Sequence, residues 1–127
     1  MFAAYNKTIV RRFFAQVLNG RDRAAVGDLF AGHPLLAAAT VRTAAAYHRA
    51  IPDVRFALDA LIAEDDRVAA CWTARGTHVV AARGVVLRAA PVCITGVYVF
   101  RLADGAIVGL RPHTRWPEDT DRRDAQN

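Results

Sequence analysis

Few side chains in this sequence are suited to proton chemistry near neutral pH. Four are histidines: His33, His48, His78 and His113. Near the end of the chain Arg111, His113 and Arg115 alternate, which is the spacing of one face of a β-strand. Facing a pocket, such a row holds a carboxylate or enolate between two guanidinium groups and offers His113 as base. Facing outward, it is a set of solvated charges. The period leaves both open, because Val108, Leu110, Pro112 and Trp116 form an apolar face between these residues. His78 ends the more apolar row of an earlier strand and is the second candidate. His33, in a chain break, suits either a site rim or a helix stop. His48, beside Arg49, suits a helix C-terminus. Tyr98 falls on an apolar strand face, where a buried hydroxyl polarises a carbonyl or completes the core.

The acids are placed unevenly. None lies between Asp66 and Asp104. The others fall in the first half, in turns, or in the tail from Glu118 to Asp124, and Asp59 alternates opposite Phe56 and Leu58. A pocket walled by the strands of that interval therefore takes its proton chemistry from histidine, tyrosine or the acidic tail.

The elements that must position these groups divide the chain in two. Ile9, Val10, Phe13, Phe14, Val17 and Leu18 recur at helical spacing, which predicts a helix over residues 6–18, with Asn6 as cap and Asn19-Gly20 as stop. Asp22 caps a short second helix. Gly32-His33-Pro34 breaks the chain, and Thr40 caps a third helix running to Ala50. After Pro52 the period becomes two, with strands over 55–63, 67–80 and 85–102 (broken near Pro91) and from Ala106. Val68, Ala70, Trp72 and Ala74 share one face, as do Val92, Ile94, Tyr98, Phe100 and Leu102. The expectation is an α+β domain, a cone-shaped curved, mostly antiparallel sheet wrapped around three N-terminal helices, spanning residues 1–116 with a polar tail over 117–127. Its open end forms a pocket walled by Trp72, Phe14 and Phe100, with His33, Arg115 and Trp116 towards the mouth.

Composition narrows the partners. The 127 residues suffice for one domain. Sixteen of the seventeen basic residues are arginine and they are scattered, so the net charge of +5 describes a solvated surface rather than a nucleic-acid stripe. Cys71 and Cys93 stand alone, without metal-site spacing, and read as small core residues. No apolar run is long enough to cross a bilayer. The order of apolar and basic residues at the N-terminus is the reverse of a secretory signal, and a cytoplasmic location is expected. The strand over 85–102 is apolar on both faces; helices cover one and a second copy of the chain is expected to cover the other.

The stretches Ile51–Phe56, Leu61–Val68, Trp72–His78 and Thr95–Val108, in that order and spacing, resemble the SnoaL-like polyketide cyclase family. So does the opening Asn6–Phe14 followed by Asn19-Gly20. The resemblance covers residues 6 to about 111. It implies a nuclear transport factor 2-like cone, usually dimeric, and ring closure by intramolecular aldol chemistry without metal or cofactor. Relatives with this fold isomerise steroids or open epoxides, so fold alone does not decide the reaction. Two departures stand out. The Ala31–Leu36 loop is short. Where the cyclases carry an acid/base aspartate on the last strand, this chain has Pro112 or Arg115, or, with an insertion, Glu118 or Asp119. The expected function is a cofactor-free cyclase or isomerase acting on a hydrophobic, oxygenated, polyketide-like intermediate of natural-product biosynthesis, with His113, His78, Tyr98 and Arg111 as catalytic candidates. Epoxide opening, or binding without catalysis, are the alternatives.

Overall fold

The computed structural model describes residues 2–115. Three helices come first: α1 (Phe2–Arg12, continuing as a π-helical stretch Phe13–Asn19), α2 (Ala24–Leu29) and α3 (Pro34–Ala50). Four strands follow: β1 (Arg55–Glu64), β2 (Arg67–Ala82), β3 (Val85–Ala103) and β4 (Ala106–Arg115). They pair in chain order, each antiparallel to the next, as an open curved sheet with the helices on its concave face. No helix among the described residues is long and apolar enough to cross a membrane.

The first helix is longer than its apolar period predicts. Asn6 does not cap it; it lies buried within it, and its Nδ2 donates to the Asp65 carbonyl. In the π-helical stretch Phe13, Phe14, Val17 and Leu18 are all buried. Asn19 ends the stretch by bonding both ways to the backbone of Phe56, Nδ2 to the carbonyl at 2.9 Å and Oδ1 from the amide at 2.7 Å. The helix stop is thus also the clamp that seats the helix on β1. A Cβ at Gly20 would meet the Ala15 and Gln16 carbonyls at 2.8 Å, so the stop needs glycine. Asp22 caps α2 as the sequence predicts, accepting from the amides of Ala24 and Ala25.

The third helix starts six residues before its predicted cap. Pro34 does not hold helix off until Thr40; it opens the helix, where its missing N–H costs nothing. Ala37, Ala38 and Ala39 then carry the helix forward. Thr40 lies buried inside it, its hydroxyl donating to the Leu36 carbonyl at 2.8 Å.

Neither strand proline interrupts its strand. Pro91 pairs with Thr77 where, among the described residues, β2 alone neighbours β3, and Pro112 pairs with Tyr98 on the edge strand β4. An edge tolerates a missing N–H. The buried row of β2 is Val68, Ala70, Trp72 and Ala74, as expected from alternation. Cys71 and Cys93 are not core residues: they lie on the opposite, outer face, half-buried and exposed.

Candidate functional site

The concave side of the sheet is filled by aromatic rings. Phe13, Phe14 and Phe100 pack edge to face, with centroids 5.5–6.3 Å apart. Tyr98 lies 6.0 Å from Phe14 and 5.1 Å from Trp72, and Trp72 lies 5.2 Å from Phe56. Four residues predicted from sequence, Trp72, Phe14, Phe100 and Tyr98, are therefore in one cluster.

Gly96 makes room for it. Gly96 faces Trp72 across β2 and β3, and a Cβ there would strike the indole and come within 3.0 Å of the His113 carbonyl. The indole, 1% exposed, fills this gap, and its Nε1 meets no acceptor among the described residues.

Beside the cluster a cavity of about 200 Å³ opens between the helices and the β3–β4 end of the sheet. Phe13, Leu18 and Tyr98 form its inner wall, and Thr40 and Ala44 its helical wall. Leu36, Thr43, Leu110 and Pro112 stand at its less buried side. Of these three inner-wall residues, Tyr98 carries a polar side-chain group. Burial pushes its hydroxyl pKa well above the ordinary value of 10, and the neighbouring Tyr47 hydroxyl, hydrogen-bonded to it, raises it further. Tyr98 therefore stays protonated at any working pH.

The register of β4 decides the orientation that the period left open. Val108 is an extra residue, a bulge: Arg101 pairs with Gly109 but Leu102 with Ile107. Beyond it Leu110, Pro112 and Thr114 pair with Phe100, Tyr98 and Gly96, on the concave face. Arg111, His113 and Arg115 pair with Val99, Val97 and Thr95, on the outer face. All three are exposed. The Arg111-His113-Arg115 row therefore points away from the cavity, because directly paired residues share a face. Arg111 and His113 line a separate surface groove with Arg67 and Arg101.

The other histidines lie elsewhere too. His78 follows Gly76 along the concave row of β2, opposite Ala90, beyond the end of β1 pairing. His33 is exposed just before α3, its carbonyl accepting from Ala37. His48 Nε2 is 2.8 Å from the Leu18 carbonyl, a packing role. Trp116, Glu118, Asp119 and the 117–127 tail lie outside the described residues. Among the described residues, no carboxylate or imidazole lines the cavity.

Sequence reasoning missed Phe13, Leu18, Leu36, Thr40 and Leu110 as cavity residues. Their helical or strand phase marks them as inward-facing, but phase does not separate packed positions from those beside a gap.

A family model described as SnoaL-like polyketide cyclase matches residues 8–113. No curated protein matches the sequence. Solved structures with the same fold include AclR, a candidate hydroxylase from Streptomyces galilaeus. It is 22% identical with a TM-score of 0.76, over 94% of this chain and 85% of that one. A candidate SnoaL-like polyketide cyclase from Jannaschia sp. CCS1 is 19% identical, with a TM-score of 0.73 over 88% of this chain and 86% of that one. IdmH, a candidate polyketide cyclase from Streptomyces antibioticus, is 18% identical, with a TM-score of 0.71 over 86% and 91%. At such identities these structures share the fold.

Proposed function

Because the chain belongs to the SnoaL-like polyketide cyclase family, we propose that it closes or isomerises a hydrophobic, oxygenated, polyketide-like intermediate held between α3 and the concave face of the sheet. The observation that carries this is Tyr98, a buried phenol, in the wall of an otherwise largely apolar cavity. An intramolecular aldol closure is redox-neutral: a proton leaves carbon, a carbon–carbon bond forms, and the former carbonyl oxygen ends as a hydroxyl. The protein's tasks are to fold the substrate, exclude water and polarise that carbonyl. Tyr98, kept neutral by burial, serves as the hydrogen-bond donor to that oxygen when its hydroxyl turns from Tyr47 to the substrate. Trp72 and Phe100 hold the cluster that positions it. A methylene between two carbonyls is acidified by its own substituents, so its proton passes to solvent-borne base at the mouth without a carboxylate in the wall.

Turnover of a panel of aromatic β-diketones, followed by product chromatography, tests this reading. Tyr98→Phe is expected to lower kcat about a hundredfold, the usual cost of one such donor. His113→Ala, on the outer face, is expected to stay within about twofold of wild type, since it loses no contact with the cavity. Unchanged turnover in Tyr98→Phe would remove the hydroxyl from the mechanism.

A second reading, binding without catalysis, is favoured by the lack of a titratable base among the described cavity residues. Saturable binding with no turnover in the wild type would select it. For assembly we infer a cytoplasmic homodimer packed through the outer face of the sheet. The centre of that face carries Ala69, Cys71, Val97 and Val99, small enough for close sheet-to-sheet packing, with arginines at its margins.

A further inference from the structure

Arginines that lie scattered in the sequence are gathered by the sheet. Antiparallel pairing puts Arg67 of β2 directly opposite Arg101 of β3. Arg101 in turn lies opposite Gly109 of β4, two residues before Arg111 on the same face. Three guanidinium groups, carried on neighbouring strands about 5 Å apart, thus share one end of the outer face, with His113 next along β4. All four side chains are exposed and line one groove. Gly109 lines it too and leaves room between Arg101 and Arg111: a Cβ there would stand 3.4 Å from that of Arg101.

The groove carries more positive charge than the acids beside it neutralise. Glu64 pairs with Arg67 in register, and Asp66 Oδ2 lies 3.7 Å from Arg101 Nε. Both side chains of that ion pair are more than half exposed, and such pairs contribute little. Asp65 and Asp104, in the adjoining turns, line a different depression with Phe2 and Tyr5 of α1. Among the described residues, the guanidinium groups of Arg67 and Arg111 have no hydrogen-bond or ion-pair partner. Like charges directly opposite in a sheet repel, so the Arg67–Arg101 pair is unfavourable until an anion sits between the two. A guanidinium group is a planar fork of donors that matches phosphate oxygens. A row of three suits an anion with more than one charged centre.

We propose that the groove of Arg67, Arg101 and Arg111 is a second binding site, separate from the cavity, and that it takes a diphosphate group. It lies at the turn end of the outer face, at the margin of the packing inferred above, and it does not depend on the cyclase reading.

Proton–nitrogen spectra recorded during titration with inorganic diphosphate, without divalent cations and at constant ionic strength, test it. The amides of Val99, Gly109 and Arg111 are expected to shift, and those of Phe13 and Thr40 in the cavity wall to stay. Arg67→Gln and Arg111→Gln are each expected to weaken binding about fivefold, the upper range for one exposed charge pair. Arg75→Gln is the control. Arg75 is exposed on the same face and opposes Arg55 as Arg67 opposes Arg101, but its partner on β3 is Cys93 rather than a third arginine. Removing that distant charge is expected to change the affinity by less than about twofold, because salt screens it. Orthophosphate is expected to bind about fivefold or more weakly, having one charged centre fewer. Adenosine diphosphate identifies the source of the group: binding tighter than diphosphate assigns it to the head of a larger molecule, and equal binding to the free ion. Equal losses in Arg75→Gln and Arg111→Gln reduce the effect to the net charge of the chain and overturn the site. Orthophosphate binding as tightly as diphosphate overturns the match to a paired charge. A wild type whose Val99 and Gly109 amides do not move overturns the proposal outright and leaves the cyclase reading as it stands.

Discussion

Gly96 shows how much of the site rests on one missing methyl group. The indole of Trp72 lies where its Cβ would be, with Cε2 only 2.8 Å from that position. The β4 backbone stands behind it, so the indole rather than the strand must give way. Gly96→Ala is expected to cost about 1–3 kcal/mol, the usual penalty of overpacking a dense core, and to tilt Trp72 away from Tyr98. The measurements are denaturant unfolding and the near-ultraviolet circular dichroism of the indole. A variant with wild-type stability and an unchanged indole signal contradicts this account. Tyr98 is the complementary case. Its type and inward phase are plain in the sequence, but its neutrality comes from burial and from Tyr47, an α3 residue far away in the chain.

At the scale of elements, the connection between α3 and β1 is tied to β2 by a single carboxylate. Asp53 accepts from both the amide of Thr77, at 2.6 Å, and its hydroxyl, at 2.9 Å. Gly76 next to it lets the two backbones close up, since a Cβ there would meet Asp53 Oδ1 at 2.7 Å. The two hydrogen bonds from Thr77 hold the Asp53 carboxyl below its ordinary value of 3.8. A carboxylate depressed in the folded state stabilises it above the unfolded pKa, and that contribution disappears as pH falls through the folded value. The stability advantage of wild type over Asp53→Asn is therefore expected to be full at neutral pH and to shrink below about pH 4. Thermal melts of both proteins across that range check it; an advantage independent of pH assigns the tie to packing instead. The start of α3 exposes a limit of pattern reading. Proline at 34 looks like a barrier to helix and is its first residue, because the signal for a break and the signal for a start are the same residue in different places.

At the scale of the molecule, the outer face of the sheet remains to be accounted for. Val97 lies near its middle, between Cys71 and His113 on the neighbouring strands. Val97→Arg is expected to convert the proposed dimer to monomer, because it places a charge against its own symmetry mate in a desolvated centre. Sedimentation equilibrium measures this, with circular dichroism to show that the fold persists; a wild type that sediments as a monomer rules the dimer out. The sequence by itself determined the helical front and stranded back, the inward rows of β2 and β3, and the acid-free interval of the cavity wall. These follow from periodicity and composition, which are local properties. Tertiary structure alone decided the direction of the Arg111-His113-Arg115 row. The extra residue at Val108 breaks the alternation of β4, and only pairing with β3 shows on which side the strand resumes. One unpaired residue thus turned the most reactive-looking triplet in the chain to the outer face, and left the cavity to a tyrosine whose chemistry comes from its burial.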